Sequence, residues 1–182
     1  GDTPSGNETD VQTTVAYVLP DSAQYVGKQI TGVLLVKPAD YVGKISYQST
    51  NTDVATVDEN GLITFVGDGT TTIIVTAHES YWSGKHYLES STSADISCQS
   101  IFDTHIHVLS APTSLKIGDE STIAVEVIPN HYTGKVTYKS NSTDVITVDG
   151  NGNVTAIDSG QAVITVTAPA IKVGDVTYKS ST

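Results

Sequence analysis

The chain has 182 residues, a length that favours one large domain or two ordinary ones. It contains 9 Lys, no Arg and 20 acidic residues, so its net charge of −11 excludes a protein that neutralises phosphates, and we expect no nucleic-acid partner. Its 26 Thr, 22 Val and 19 Ser favour β-strands, and no apolar run reaches the roughly 18 residues that a membrane helix needs. The composition predicts an acidic β-protein that does not span a membrane.

The first ten residues, 1–10, carry Gly, Pro, Ser, Asn and acids without a hydrophobic pattern. Such a segment buries too little apolar surface to offset the entropy lost when it is ordered, so we predict a flexible tether over 1–10. An Asp- and Thr-rich start is also typical of a surface lipoprotein after its anchoring Cys. No Cys stands there, and we expect any lipid anchor to lie outside this sequence.

An internal repeat with an offset of 91 residues dominates the rest of the sequence. Residues 25–77 aligned with 116–168 give 23 identities in 53 positions without a gap, among them Gly27 with Gly118 and Pro38 with Pro129. A copy of roughly 90 residues suffices for one small β-sandwich. We therefore predict two domains, over 11–99 and 100–182.

Both copies show the alternation that is typical of strands. The runs 44–49, 72–76, 123–128 and 163–167 are β-branched or alternate between apolar and polar residues, and turn residues bound each of them. Turn signals at intervals of about 8 to 12 residues favour a sandwich of about seven strands in each copy.

Each copy also has an Asp-x-Asn-Gly sequence between two strands. Asn-Gly supplies the positive-φ residues of a tight turn, and the Asp carboxylate is placed to accept backbone N–H groups. The predicted turn residues are Asp58, Asn60 and Gly61 in the first copy and Asp149, Asn151 and Gly152 in the second.

A family resemblance rests on these same stretches. Residues 49–64, STNTDVATVDENGLIT, followed by Gly69 and IIVTA at 73–77, resemble the signature of the bacterial immunoglobulin-like domains of group 2. The second copy repeats it as SNSTDVITVDGNG at 140–152, although the aromatic that is often Trp in this family is Tyr47 and Tyr138 here. The resemblance implies an all-β chain of two tandem immunoglobulin-like β-sandwiches.

What the resemblance implies about function is a non-catalytic adhesion or spacer module of a bacterial surface or secreted protein. Such domains are strung along adhesins and beside carbohydrate-active modules, and they share no active site that could be carried over. We accordingly expect an extracellular or cell-surface monomer whose partner is an extracellular protein or a glycan.

The two copies differ most after the IIVTA stretch. The first continues as HESYWSGKHY at 78–87 and the second as PAIKVGDV at 169–176. Exposed aromatics on a loop can stack on sugar rings or anchor a protein interface, although they can equally cover the end of the core or pack against the other domain. The candidate ligand-binding residues are Tyr81, Trp82 and Tyr87, and the alternative function is a carbohydrate-binding module that uses them.

Metal ligation is weakly indicated. His105 and His107 share one face of a predicted strand, but a zinc site needs further ligands, for which His131, Asp103 and Glu126 are the candidates. Calcium would be best placed around Asp95 and Asp103, but no stretch has the spacing of a calcium loop. We expect no metal and no cofactor.

Catalysis is not indicated either. Cys98 lies at the end of a predicted closing strand, where a free thiol behaves as a small buried hydrophobe, and no cationic neighbour lowers its pKa. The sequence has no Gly-x-Ser-x-Gly, His-Glu-x-x-His or phosphate loop. We expect no catalytic residues.

The closing strand of the second copy is an open question in the sequence. The first copy closes with 94–98, and the 91-residue offset places its counterpart from position 185, beyond Thr182. Either residues 176–179 slide forward to serve as a final strand, or the second domain lacks its last strand and exposes an unpaired sheet edge.

Overall fold

A computed structural model describes Pro4 and residues 6–182. The predicted all-β fold is confirmed: the described residues form 22 strands and no helix. Nothing in that part of the chain meets the length and apolarity that a membrane-crossing helix requires. The chain forms two compact units, unit 1 up to Ser100 and unit 2 from Ile101 to Thr182.

Unit 1 is built from twelve short strands in its described residues. They are β1 (Thr9–Val11), β2 (Thr14–Val18), β3 (Gln24–Tyr25), β4 (Gln29–Thr31), β5 (Val33–Lys37), β6 (Ile45–Ser49), β7 (Ala55–Val57), β8 (Leu62–Phe65), β9 (Gly69–Ala77), β10 (Ser80–Trp82), β11 (Lys85–Tyr87) and β12 (Ser90–Gln99). They pair in the orders β3-β12-β9-β6, β4-β8-β7, β1-β11-β10 and β2-β5.

Unit 2 repeats this arrangement with ten strands. They are β13 (Ile101–Phe102), β14 (His105–Ser110), β15 (Glu120–Thr122), β16 (Ala124–Ile128), β17 (Thr137–Ser140), β18 (Ile146–Val148), β19 (Asn153–Ala156), β20 (Ile164–Thr167), β21 (Ile171–Val173) and β22 (Val176–Tyr178). Their pairing orders are β15-β19-β18, β13-β22-β21, β14-β16 and β17-β20.

The strand segments outnumber the roughly seven per copy predicted from turn spacing for two reasons. Single strands divide where they pass between sheets, and the stretch of Tyr81 and Trp82, predicted to be a loop, forms the hairpin of β10 and β11. Residues Gln29–Thr31 pair with β8, whereas Val33–Lys37, directly beyond Gly32, pair with β2. A side chain at Gly32 would meet the ring of Tyr17 at 2.3 Å, so glycine lets the two approach at this point. In unit 2 the same division falls at Ile123, between β15 and β16.

The N-terminal boundary differs from the prediction. Thr9 and Asp10, which the sequence assigns to a flexible tether, lie in β1 and pair in parallel with Lys85 and His86 of β11. The backbone ladder and the contact between the Asp10 carboxylate and the His86 ring, 2.8 Å from Oδ1 to Nδ1, supply the order that a hydrophobic pattern does not. Of the predicted tether, residues 1–3 and 5 lie outside the described residues.

The core of unit 1 lies between its sheets. Strand β9 alternates strictly, so that Thr71, Ile73, Val75 and Ala77 are buried at 0–2% exposure while their neighbours face outward. Burial of an isoleucine or valine side chain in this strand stabilises the fold by roughly 1.5 to 3 kcal/mol, because the apolar surface is removed from water. The remaining buried members of this core come from β2, β7, β8 and β12 and the residues beside them: Tyr17, Leu19, Val54, Ala55, Ile63, Phe65, Ile96 and Cys98.

The two predicted turns have the same geometry. Asp58 accepts the N–H groups of Asn60 and Leu62 at 2.9 and 2.8 Å through one carboxylate oxygen, and Asp149 does so for Asn151 and Asn153 at 2.8 and 2.9 Å. The glycines that follow have φ values of 82° at Gly61 and 85° at Gly152. Each carboxylate satisfies two backbone donors that would otherwise face water, which fixes the turn.

The closing strand is where the units differ. In unit 1, β12 pairs with β9 over nine residue pairs, from Ser90↔Ala77 to Cys98↔Gly69. Val176–Tyr178 of unit 2 pairs instead with β13 and β21, as β11 does with β1 and β10, so these residues do not slide forward to close the sheet. Of the β12 ladder, the described part of unit 2 retains only the bridge Ala168↔Ser181.

We expect Gly61→Ala to destabilise unit 1 by about 1 to 2 kcal/mol, because an alanine at positive φ is strained. Its methyl group would also lie 2.8 Å from Cζ of Tyr47. The midpoint of urea unfolding measures the effect. Gly150→Ala is the control, since a side chain there meets only Lys135 Nζ at 3.9 Å. Equal midpoints for the two variants would contradict the turn geometry.

We expect the Asp149 turn to weaken in acid. Hydrogen bonds from Asn153 and Asn151 hold the pKa of this carboxyl below its ordinary 3.8. A group whose pKa is lower in the folded state stabilises the fold above the unfolded pKa and loses that contribution as the pH falls through the folded pKa. The melting-temperature gap between wild type and Asp149→Asn should therefore shrink from pH 6 to pH 2. Asp175→Asn, at an exposed position of the same unit, should show no such trend.

Candidate functional site

The hairpin β10–β11 of unit 1 is the candidate site, and its backbone is tightly fixed. Its two-residue turn has both residues at positive φ, Ser83 at 52° and Gly84 at 71°, as the type I′ turn that suits twisted hairpins requires. Trp82 lies opposite Lys85, and Tyr81 lies opposite His86. Because successive residues of a strand face opposite sides, Tyr81 and Trp82 do not form one flat platform.

Tyr81 is engaged within the hairpin. Its ring stacks on His86 with centroids 4.4 Å apart and planes 2° from parallel, and its hydroxyl donates to Oε1 of Glu79 at 2.9 Å. That hydrogen bond raises the pKa of the Tyr81 hydroxyl. One face of the ring is thereby covered, which leaves the other face and the edge for any ligand.

Trp82 is the side chain that the hairpin presents to its surroundings. It is 48% exposed. Beside it, Lys85 forms an ion pair with Asp40, and this contact raises the pKa of the lysine and lowers that of the aspartate. An exposed indole next to an ion pair can stack on a sugar ring or pack against an apolar side chain of a protein.

The prediction of Tyr87 as a ligand-binding residue is wrong, because its side chain is fully buried. It meets Tyr41 edge to face with centroids 5.8 Å apart, and Tyr178 meets Tyr132 in the same way at 5.6 Å in unit 2. Tyr41 donates to the carbonyl of His78 at 2.6 Å, and its counterpart Tyr132 donates to that of Pro169 at 2.7 Å. The repeated geometry shows that this tyrosine pair anchors the hairpin to the sandwich.

A serine, a histidine and a glutamate that sequence reasoning missed come together beside the hairpin. Ser46 Oγ lies 2.7 Å from Nε2 of His78, and Nδ1 of His78 lies 3.2 Å from Oε2 of Glu89. With the carboxylate ionised, Nδ1 carries the ring proton and Nε2 accepts the serine hydroxyl, which is the order of a nucleophile, a base and an orienting acid. The three residues are up to 43 positions apart and match no sequence motif, so only the pairing of β9 with β6 and with β12 brings them together.

A hydrolase site needs more than a serine, a histidine and a carboxylate. Acyl transfer also needs a pocket for the substrate and preorganised donors for the oxyanion. A groove of about 1120 Å³ lies in unit 2, where the counterparts of the trio are Thr137, Pro169 and Ser180. What the structure shows for the trio is a pair of side-chain contacts on a partly exposed surface.

The metal candidates have other partners. His107 contacts Glu126 across β14 and β16 at 2.8 Å, whereas His131 contacts the Tyr178 hydroxyl at 2.6 Å and packs on Phe102. Asp103 pairs with Lys179 at 3.0 Å, and Asp95 accepts the hydroxyl of Thr72 at 2.7 Å. Over the residues that the structure describes, no three His, Cys, Asp or Glu side chains converge as metal ligands would.

Cys98 is buried at 4% exposure in β12. Burial, with a smaller contribution from the negative charge of Asp68, raises the pKa of its thiol to about 11. The thiolate is the reactive form, so this cysteine is a packing residue in the folded state.

We expect Cys98 to react with a disulfide reagent at pH 8 about 100-fold more slowly in the native protein than in the urea-unfolded chain, because its pKa rises by about two units. Absorbance of the released thiolate gives both rates. A Cys98→Ser, Ser93→Cys variant moves the thiol to an exposed position of the same strand and serves as the control. Native labelling of wild type as fast as that of the control would contradict the assignment.

Two family models match the chain, one over part of unit 1 and one over most of unit 2. Residues 42–79 match the family model of the intimin immunoglobulin-like domain, and residues 104–180 match that of the bacterial Ig-like domain of group 2. No curated protein matches the chain.

Among solved structures, the chain is similar to the S-layer protein rSbsC, with a TM-score of 0.53 and 18% identity over 94% of this chain and 28% of that one. It is also similar to domains 4 and 5 of the S-layer protein SbsC, with a TM-score of 0.50 and 15% identity over 93% of this chain and 100% of that one. The chain thus spans about 28% of the length of the S-layer protein, and at these identities the likeness shows the fold alone. The two family matches confirm the resemblance read from the sequence: residues 104–180 belong to the bacterial Ig-like domains of group 2, and residues 42–79 match the related intimin immunoglobulin-like domain.

Proposed function

We propose that this chain is a non-catalytic module of a bacterial surface or secreted protein, serving adhesion or acting as a spacer. The observation that carries the proposal is the contrast between what the two units share and what they do not. They share the residues that build the fold, and they differ at the side chains that face outward from the hairpin.

The shared residues all support architecture. Three features recur at the 91-residue offset: the aspartate and glycine of each turn, the tyrosine pair beneath each hairpin and the alternating strand. A series of structural units needs only a repeated scaffold, and here the scaffold is repeated without a repeated polar site. An enzyme would instead keep its reacting groups.

The outward-facing positions of the hairpin are not shared. Trp82 is replaced by Val173, Tyr81 by Lys172 and His86 by Thr177. This difference between equivalent hairpins supports a contact specific to unit 1, because the scaffold does not require those aromatics. We propose that an extracellular protein partner contacts the exposed hairpin tip at Trp82.

A carbohydrate-binding role for the same tip is the second candidate, favoured by the exposure of Trp82. An indole can stack on a sugar ring without help from a neighbouring aromatic. The stacking of Tyr81 on His86 disfavours a broad aromatic platform, so a glycan would be held by Trp82 alone and bound weakly.

We propose that the whole chain works outside the cytoplasm, at the cell surface or in the medium. The family membership of both units supports this location, and the negative charge of −11 is compatible with a solvated extracellular surface. We expect the chain to be monomeric and to need no cofactor.

Substituting Trp82 by Ala tests the role of the tip. We expect Trp82→Ala to leave the melting temperature within about 2 °C of wild type, since the side chain is half exposed. Its binding to immobilised extracellular-matrix proteins should fall at least tenfold, as loss of an interface aromatic does. Val173→Ala is the matched control, because Val173 occupies the equivalent hairpin position in unit 2 and is 50% exposed.

A glycan array run with the same three proteins separates the candidates. Glycan binding lost in Trp82→Ala but kept in Val173→Ala would replace the protein-adhesion role with the carbohydrate-binding one. Absence of protein and glycan binding in wild type would leave the spacer role. Ester hydrolysis by wild type that disappears in Ser46→Ala would contradict a non-catalytic module altogether.

A further inference from the structure

Unit 2 has a groove along the open edge of β20. The groove has a volume of about 1120 Å³, and apolar side chains line much of it, among them Val108, Leu115, Val154, Ile164 and Val166. On one side β20 pairs with β17. On its other side the described chain supplies only the single bridge between Ala168 and Ser181.

Unit 1 shows what fills the equivalent space. There β12 lies along β9 and turns Ala94, Ile96 and Cys98 toward the core. Ile96 and Cys98 are 2% and 4% exposed. Strand β12 also pairs with β3, whereas the counterpart of β3 in unit 2, residues 115–116, forms no strand and lines the groove.

The side chains beneath the groove show the consequence. Val54, Ala55, Ile73 and Val75 are at most 3% exposed in unit 1. Their counterparts at the 91-residue offset, Val145, Ile146, Ile164 and Val166, are all half-buried. The exposed fraction rises in the same way from 8% at Tyr17 to 50% at its counterpart Val108. The core of unit 2 is therefore open on the side where β12 covers unit 1.

The isolated bridge in unit 2 corresponds to the first residue pair of the β12–β9 ladder in unit 1. Ala168 and Ser181 correspond at the offset of 91 to Ala77 and Ser90, the first pair of the β12–β9 ladder. The backbone N–H and C=O of Ser181 bond to those of Ala168 at 3.0 and 2.9 Å. Ser181 thus already has the direction and the register of a strand antiparallel to β20.

We propose that the β20 groove accepts one extended strand that runs on in line from Thr182, antiparallel to β20, with small apolar side chains at alternate positions. The register set by Ser181 places the inward side chains of that strand opposite Val166, Ile164, Ala162 and Gly160 in turn, as Thr92, Ala94, Ile96 and Cys98 lie opposite their counterparts in unit 1. The backbone of the strand satisfies the open edge, and its apolar face removes the groove from water.

The chemistry of the groove favours such a strand over other occupants. A second copy of this chain would have to bring its own β20 edge, but Ser181 already stands in the first position of that ladder and blocks symmetric pairing there. A small ligand would satisfy neither the row of backbone groups nor a groove of this length. An extended segment with the alternation of β12 satisfies both.

Appending the β12 sequence tests the proposal in the full chain. Residues 92–99, TSADISCQ, are added directly after Thr182, so that the copy of Ile96 comes to lie opposite Ala162. We expect amide hydrogen exchange over 164–167 to slow at least tenfold, while exchange over 73–77 in unit 1 stays unchanged. The extended protein should also bind less of a hydrophobic dye than the unextended protein does.

The matched control carries the same extension with Ile96→Asp and Cys98→Asp in the appended copy only. It has the same length and backbone, but it would bury two charges in the groove. Slower exchange in the extended chain and not in the control supports the proposal. Equal exchange in the two extended chains overturns it. A dimeric unextended chain whose 164–167 amides are already protected also overturns it, because the occupant would then be a second copy.

Discussion

The ladder between β9 and β12 is the interaction on which unit 1 depends. Its nine residue pairs tie the last strand of the unit to its most completely buried one, and they place Ile96 and Cys98 over the side chains of the opposite sheets. Removal of this ladder costs more than its hydrogen bonds, because it uncovers apolar side chains on a neighbouring strand as well. Unit 2 shows the outcome within the same chain: the same alternating strand is present, yet its valine and isoleucine remain half exposed.

The shared scaffold is robust because local and long-range features agree. The carboxylates of the Asp-x-Asn-Gly turns accept the backbone donors of the turn, and each turn glycine lies against a tyrosine ring, that of Tyr47 in β6 or of Tyr138 in β17. A residue at positive φ therefore also serves the packing, so that turn chemistry and core packing require the same amino acid. Such consistency between levels is what allows a sequence to specify one fold.

The sequence predicts the features that local chemistry determines. Period-two alternation locates the strands, Asn-Gly locates the turns, and the repeat offset transfers each of these from one copy to the other. It does not predict the order at Thr9 and Asp10, because their pairing with β11 depends on residues 76 positions away. The contacts of His78 with Ser46 and Glu89 and the burial of Tyr87 cannot be predicted for the same reason. In each case the partner is set by sheet pairing and not by spacing along the chain.

The similarity of the two acceptor edges has a consequence for how the chain reaches its native state. During refolding from denaturant, β12 meets two edges of similar sequence, β9 and β20, and only one of them is its native partner. Pairing with β20 would join the wrong repeats and trap the chain, a known hazard of adjacent similar domains. Synthesis from the N-terminus removes the competition, because β9 and β12 leave the ribosome before β20 exists. The order of synthesis thus protects a duplicated sequence from the ambiguity that its own duplication creates.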